Sequence, residues 1–318
     1  MRRICDFHSH VYPPEEQANP MFGGDCPLTI EKLLDAHAAA GIEFAVVTCP
    51  LHYLRGVPDR ECIEKLKRWH EYAAELAQKY RDRIVVFAGA VPTLGEASHR
   101  EFERAVKEYG FRGCFINSSH NDHYPDEDVA RDFWRIAAGR HVAVMIHAPE
   151  CAFGEERMGM YRLVSSVGRP MDETLSVARL IVRGVFEQFP DLRLIAAHVG
   201  GGICEVLPRM DYAYELRDYA NFLGSYKPVL ISKKPSDYLC QMYFDTASYS
   251  PPVVKMGIEV IGIDRMLFGS DGPPLTPLIP RAREIIEQLP ISEADRDKIF
   301  IGNVEKLLGL RFGLEHAL

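Results

Sequence analysis

The chain has 318 residues, 47% hydrophobic and 26% charged, which is enough apolar material for a large core beneath a solvated surface. A formal charge of −8 leaves no basic face of the kind that holds nucleic acid or an anionic membrane, so neither is expected as a partner. No apolar stretch reaches spanning length, and the basic start Met1-Arg2-Arg3 runs into an acidic, histidine-bearing stretch unlike the apolar region of a signal peptide.

In chain order, short runs rich in Val, Ile, Phe and Ala alternate with longer amphipathic segments. Strand 4–8 precedes a helix over 29–40, strand 42–48 a helix over 60–80, and strand 84–90 a helix over 97–109. The alternation continues with strand 112–117 and helix 128–138, strand 142–147 and helix 173–189, and strand 192–198 and helix 203–219. It closes with strand 242–246, helix 252–261, strand 266–270 and helix 277–288. Near-continuous apolar strands separated by helices imply a parallel sheet covered by helices. Eight such units favour an α/β fold closed as a (β/α)8 TIM barrel over an open doubly wound sheet.

No linker, repeat or charge block divides the chain, so residues 1–318 read as a single domain. The Pro/Gly-rich stretches 13–27, 149–170 and 272–280 all follow strands on one barrel end and read as active-site loops. Segment 292–310 is expected to be a helix-rich closure, with Ser292 as N-cap and Glu293 in the first turn. The eight cysteines, at 5, 26, 49, 62, 114, 151, 204 and 240, are scattered, form no CxxC pair and lie partly in apolar runs. They read as reduced core residues of a cytoplasmic protein rather than a disulfide framework.

The chemistry-bearing residues recur at strand ends. His8 and His10 close the first strand, His147 the fifth, His198 the sixth, and Asp271 follows the eighth. Residues two apart in a strand face the same way, so His8 and His10 can share one ion. His147, His198 and Asp271 then converge on them at the carboxyl-end mouth of a barrel, where active sites of this architecture lie. An HxH pair alone is a weak motif; five residues at matched strand ends point to a catalytic metal site.

The remaining histidines sort by position. His37, His70, His99 and His316 read as surface or packing residues, and His141 sits on the opposite barrel end. His52, His120 and His123 follow strands at the functional mouth, within reach of a substrate. The loop 149–170 carries Arg157, Tyr161, Arg162 and Arg169, and arginine's fork suits a carboxylate. Arg157, Tyr161, Arg162 and His52 are the substrate-binding candidates, with Arg55 and Arg209 as weaker ones. The Gly200-Gly201-Gly202 turn lets the backbone pass close to a ligand and start the next helix; its spacing is not a dinucleotide fingerprint.

The chain resembles the amidohydrolase superfamily, in the branch typified by aminocarboxymuconate semialdehyde decarboxylase. The matching pieces are Asp6-Phe7-His8-Ser9-His10 with Pro13, Ile146-His147, the stretch 184–192, Ala197-His198-Val199-Gly200-Gly201-Gly202, Leu267-Phe268-Gly269-Ser270-Asp271, and 302–310. The resemblance implies that His8, His10, His147 and Asp271 ligate one divalent ion, usually zinc and sometimes manganese, with His198 beside it as general base or acid. It also implies a homodimer, with 209–224 a candidate interface. Binuclear members bridge two ions with a lysine at the end of the fourth strand, whereas here that strand ends Asn117-Ser118-Ser119, in keeping with one ion.

The chain departs from the family type around the substrate. The decarboxylase's arginine between first strand and first helix has no counterpart in 21–26, and its tryptophan-bearing loop has none either, since Trp69 and Trp134 fall in helices. Some related decarboxylases carry glutamate in place of the first histidine of HxH, a pattern that His8 does not follow. The metal chemistry transfers, and the substrate does not.

A divalent ion held by neutral imidazoles and one carboxylate keeps positive charge, acidifies water and polarises a substrate oxygen. His198 can take or give a proton near neutrality, and Asp271 can ligate the ion while accepting a hydrogen bond from the nucleophile. Three readings stand: a carboxy-lyase acting on a small carboxylated substrate, which is favoured; a hydrolase of a lactone, amide or carbon–carbon bond; and a non-catalytic metal-binding barrel.

Overall fold

The computed structural model describes residues 2–17, 29–148, 151–152, 154–219 and 224–313. Its strands are β1 (Cys5–His10), β2 (Phe44–Thr48), β3 (Ile84–Val86), β4 (Ala88–Ala90), β5 (Gly113–Asn117), β6 (Ala143–His147), β7 (Leu194–Ala196), β8 (Met242–Asp245) and β9 (Met266–Leu267). They run parallel in the order β1 to β3 and β4 to β9. β3 and β4 occupy one barrel position, interrupted at Phe87, whose carbonyl accepts the Trp69 indole N–H at 3.2 Å while its own N–H still donates to Val47 O at 2.9 Å. The last strand closes on the first: Phe7 N–H donates to Phe268 O at 2.7 Å, Asp271 N–H to His8 O and His10 N–H to Gly272 O, both at 2.9 Å. Eight strand positions thus form the closed (β/α)8 barrel, each within an expected apolar run or overlapping it, though the sixth ends at Ala196, two residues before His198, and the eighth at Leu267.

Helices Ile30–Ala39, Asp59–Lys79, Glu96–Tyr109, Arg131–Gly139, Ile203–Glu215, Pro251–Ile261 and Ile279–Gln288 follow the strands in turn. One expected helix is redrawn. In place of 173–189 there is a helix Arg169–Val182, with Pro170 in its first turn, then a break at Gly184 and a single turn Val185–Gln188. Proline costs no hydrogen bond in a first turn. Gly184, at φ +73°, takes a left-handed turn where a Cβ would lie 2.5 Å from Leu230 O. The expected helix 203–219 also ends earlier, at Glu215. Ser292 caps the closing segment as expected, its Oγ accepting from Asp295 N–H at 3.1 Å.

Side chains alternate between two layers. Cys114 and Ile116 join the large cluster beneath the helices, while Phe115 joins Phe7, Phe87, Met145, Ile195 and Leu267 in a second one. Phe7 and Phe87 meet edge to face at 5.8 Å, and Phe115 lies under the rings of His10 and His147, giving the histidines an apolar floor. The described cysteines are free thiols, all buried except Cys240. Cys26 and His316 lie outside the described residues, as does 18–28 with the arginine-free stretch 21–26. No described helix is long and apolar enough to cross a membrane.

Candidate metal centre and active site

The site begins with an irregularity in β1. Pairing with β2 shifts register between Asp6 and Ser9, inserting one residue. Asp6 and Ser9, three apart, therefore both meet His37 from the outer helix, at 3.0 and 3.4 Å, while His8 and His10 face inward with Nε2 atoms 3.1 Å apart. Their other nitrogens are fixed from behind. His8 Nδ1 donates to Asp245 Oδ2 at 2.8 Å; His10 Nδ1 donates to Thr48 Oγ1 at 2.8 Å, because that hydroxyl gives its own proton to Ser9 O. Both Nε2 atoms are thereby turned to a common point.

Asp271 supplies the carboxylate there. Its Oδ1 lies 3.2 Å from both His8 Nε2 and His10 Nε2 and 3.5 Å from His147 Nε2, and its Oδ2 lies 3.4 Å from His198 Nε2. One ligand atom from each of His8, His10, His147 and Asp271 falls within 4.8 Å of all the others. His147, 6% exposed, has no hydrogen-bond partner on either ring nitrogen among the described residues. A buried imidazole without a partner, two Nε2 atoms facing each other and an acid between them fit a divalent cation. Charge agrees. Burial lowers His10 to about 4 and holds His147 well below its ordinary range, keeping them neutral as ligands must be. Burial also disfavours a proton on His8, yet Asp245 and Asp271 raise it to about 9, so this point calls for positive charge that a cation would supply.

His198 stands beside the cluster in a strained conformation. It and Val199 both take left-handed backbone, at φ 53° and 57°, and Asp271 does so too, at φ 57°. Asp245 Oδ1 holds the His198 backbone N–H at 3.0 Å while its Oδ2 holds the His8 ring, so one buried acid fixes both residues. Glu173 Oε2 accepts from His198 Nδ1 at 3.0 Å. Burial pushes the Glu173 carboxyl up to about 7 against the pull of His198, while the charges of Glu173 and Asp271 hold His198 well above its ordinary range despite burial.

The amidohydrolase family model matches residues 5–310, a span that contains every residue of this cluster. The chain belongs to the amidohydrolase family. It is 28% identical over 291 residues to a gamma-resorcylate decarboxylase of Polaromonas sp. strain JS666, covering 88% of this chain and 86% of that one. It is 24% identical over 265 residues to 2-amino-3-carboxymuconate-6-semialdehyde decarboxylase of Dictyostelium discoideum, covering 83% of this chain and 71% of that one. Among solved structures, it superposes with a TM-score of 0.86 on 5-carboxyvanillate decarboxylase of Novosphingobium aromaticivorans, complexed with manganese and 4-hydroxy-3-methoxy-5-nitrobenzoic acid. There the identity is 21%, with 97% of this chain and 96% of that one covered.

In this amidohydrolase the five strand-end residues come together as the sequence pattern implied. Three of the four substrate-binding candidates do not join them. Tyr161 is 84% exposed and Arg162 is exposed, both on left-handed backbone at φ 58°. The Arg157 side chain is 86% exposed, in a single turn with no buried residue, beside Glu156. His52 does lie at the mouth, its ring 5.6 Å from that of Tyr12. Arg55 is bound by Glu155 of the loop after β6, at 3.0 Å, which ties that loop across the mouth to β2; Arg209 is exposed. His120 is buried beside Asn117, and His123 turns out to Glu127. His37, His70 and His99 are buried packing residues with polar partners, and His141 is exposed on the far end.

Glu173, Asp245, Thr48 and the Asp6–His37 pair were not singled out from sequence. Asp245 closes the run Met242-Tyr243-Phe244, the same signal that marks His147. Glu173 depends on the glycine turn. A Cβ on Gly201, at φ +66°, would lie 2.4 Å from Pro170 O and 2.8 Å from Thr174 Oγ1, so the bare glycine lets the turn press on the helix that carries Glu173. The glycine serves that packing. Gly201→Ala is expected to destabilise the fold by about 2 kcal/mol or more through strain and overlap, measured by denaturant unfolding. An unchanged midpoint would refute the contact.

Proposed function

We propose that this amidohydrolase is a metal-dependent carboxy-lyase that releases carbon dioxide from a small carboxylated, aromatic-like substrate. His8, His10, His147 and Asp271 hold one divalent ion, zinc or manganese: three imidazoles and a carboxylate suit zinc, and a solved neighbour carries manganese. The bound ion supplies Lewis acidity toward acidic oxygens of the substrate. His198 is the general acid. Protonated, it gives Nδ1–H to Glu173 and keeps Nε2–H on the side of the metal cluster, 3.4 Å from Asp271 Oδ2. As the bond to the carboxyl carbon breaks, the electron pair left on the substrate carbon takes that proton, and neutral His198 remains tethered through Nδ1. Reprotonation from solvent completes the cycle.

The carrying observation is the pairing of a four-ligand cluster with a separately held histidine. A structural metal site has no use for a spare acid-base group fixed by its own buried carboxylate. The relatives named as decarboxylases, matched over most of the chain, favour carboxyl loss over hydrolysis. Residues 1–318 act as one domain, and a homodimer would cover the exposed Tyr212 and Tyr219 on the segment 209–224, of which 220–223 lies outside the described residues. The buried free thiols suit the cytoplasm.

The test is carbon dioxide release from a panel of hydroxybenzoates and benzene dicarboxylates by protein loaded with zinc or manganese, run in 18O-labelled water. Stoichiometric carbon dioxide with a decarboxylated product is expected. Label entering a carboxyl group of the product would replace this reading with hydrolysis.

A further inference from the structure

We propose that Arg169 anchors a second acidic group of the substrate, at the end remote from the cation, so that the protein selects compounds bearing two acidic groups. This rests on the carboxy-lyase reading of the same cup.

Arg169 opens the helix Arg169–Val182, which leads from the loop after β6 down to β7, so its position is on the mouth side. Residues four apart share a helix face, and Glu173, four residues on, touches His198. Arg169 therefore starts one helical turn, about 5 Å along the axis, from Glu173, on the helix face that carries the acid-base pair. Its Nε is buried and has no hydrogen-bond partner, and no ion pair engages Arg169 among the described residues. An i,i+4 pair with Glu173 is open to it and is not made, since Glu173 Oε1 is also without a partner.

The nearby carboxylates are taken. Glu155 is given to Arg55, and Asp172 accepts from Ser119, Tyr124 and the Ala152 N–H, binding the loops after β5 and β6 to this helix. His52, the mouth residue that feels Arg169's charge, is kept neutral by burial and by that charge, at about 4, and so brings no competing charge. The Glu155 carboxylate feels Arg169's charge but is held by Arg55, so the half-buried guanidinium lacks a counter-charge of its own, which a ligand can supply. The cation, Asp271 and His198 already attend to the reacting end. Arginine's planar fork suits a carboxylate at the other.

Calorimetric binding of benzene-1,3-dicarboxylate and of benzoate to the metal-loaded full chain tests this. The wild type is expected to bind the dicarboxylate about tenfold or more tighter, the scale of one charge-assisted pair. Arg169→Met should collapse that preference to about twofold or less, and Arg169→Lys, which keeps charge and loses the fork, should fall between. A wild type that does not distinguish the two ligands, or an Arg169→Met variant that keeps the preference, overturns the proposal. If Arg169→Met does not fold, Arg169→Lys with the wild-type ratio decides. Carbon dioxide release on the same preparations separates the two readings. Preference lost in Arg169→Met without any lyase activity leaves the anchor standing and removes the reaction; lyase activity with the preference intact does the reverse.

Discussion

Asp271→Asn is expected to strip the protein of its divalent ion and of carboxy-lyase activity together. Among the described residues, Asp271 is the one carboxylate that reaches His8, His10, His147 and His198 at once, at 3.2 to 3.5 Å. Losing its charge leaves imidazoles alone to hold a cation. Asparagine is the informative replacement, because the position has φ 57° and asparagine tolerates left-handed backbone, so the Asp271 N–H bond to His8 O survives. Metal affinity should fall by more than the roughly 10–100-fold typical of removing an outer hydrogen-bond partner, a class that Asp245→Asn represents in the same site. Elemental analysis of the purified variants reads this directly, with chelator-treated wild type as reference for turnover. An Asp271→Asn protein retaining one equivalent of tightly held metal would refute the ligand set.

The strand ends were legible because a barrel imposes a rule that sequence can display: apolar runs closed by a ligating residue. His147 at the end of β6 and Asp271 after β9 are found this way, and Asp245 obeyed the same rule unnoticed because its role is to orient rather than to ligate. The break in two-residue alternation within β1 was not legible. A bulge changes which side chains share a face, and only the register with β2 reveals that Asp6 and Ser9 both turn outward. Glu173 was hidden for a different reason. Asp172 and Glu173 near a helix start look like solvated acids complementing the helix dipole, and their burial follows from a glycine turn that arrives from another part of the chain. Loop arginines are the least readable, since charge alone does not tell Arg162, exposed in the loop, from Arg169, partly buried at the start of a helix.

His198→Asn should lower kcat by roughly 10²–10⁴-fold, the usual range for removing a general acid or base, while metal content stays at the wild-type level. Asparagine again suits the left-handed φ of 53° and leaves the backbone N–H on Asp245. Because the loss is in the chemical step, KM for the best substrate should move far less than kcat. The role of Glu173 follows from its place behind the ring: it fixes Nδ1–H and so aims Nε2 without touching the reacting atoms. Glu173→Ala should cost about 10–100-fold in kcat, and Glu173→Gln, which keeps an oxygen for Nδ1–H, should recover part of it. Steady-state kinetics with metal analysis on the three variants distinguishes this relay from simple damage, since damage would also raise KM and lower metal occupancy. His198→Asn turning over within tenfold of the parent would take the proton away from His198 and return the choice of acid to the other groups at the mouth.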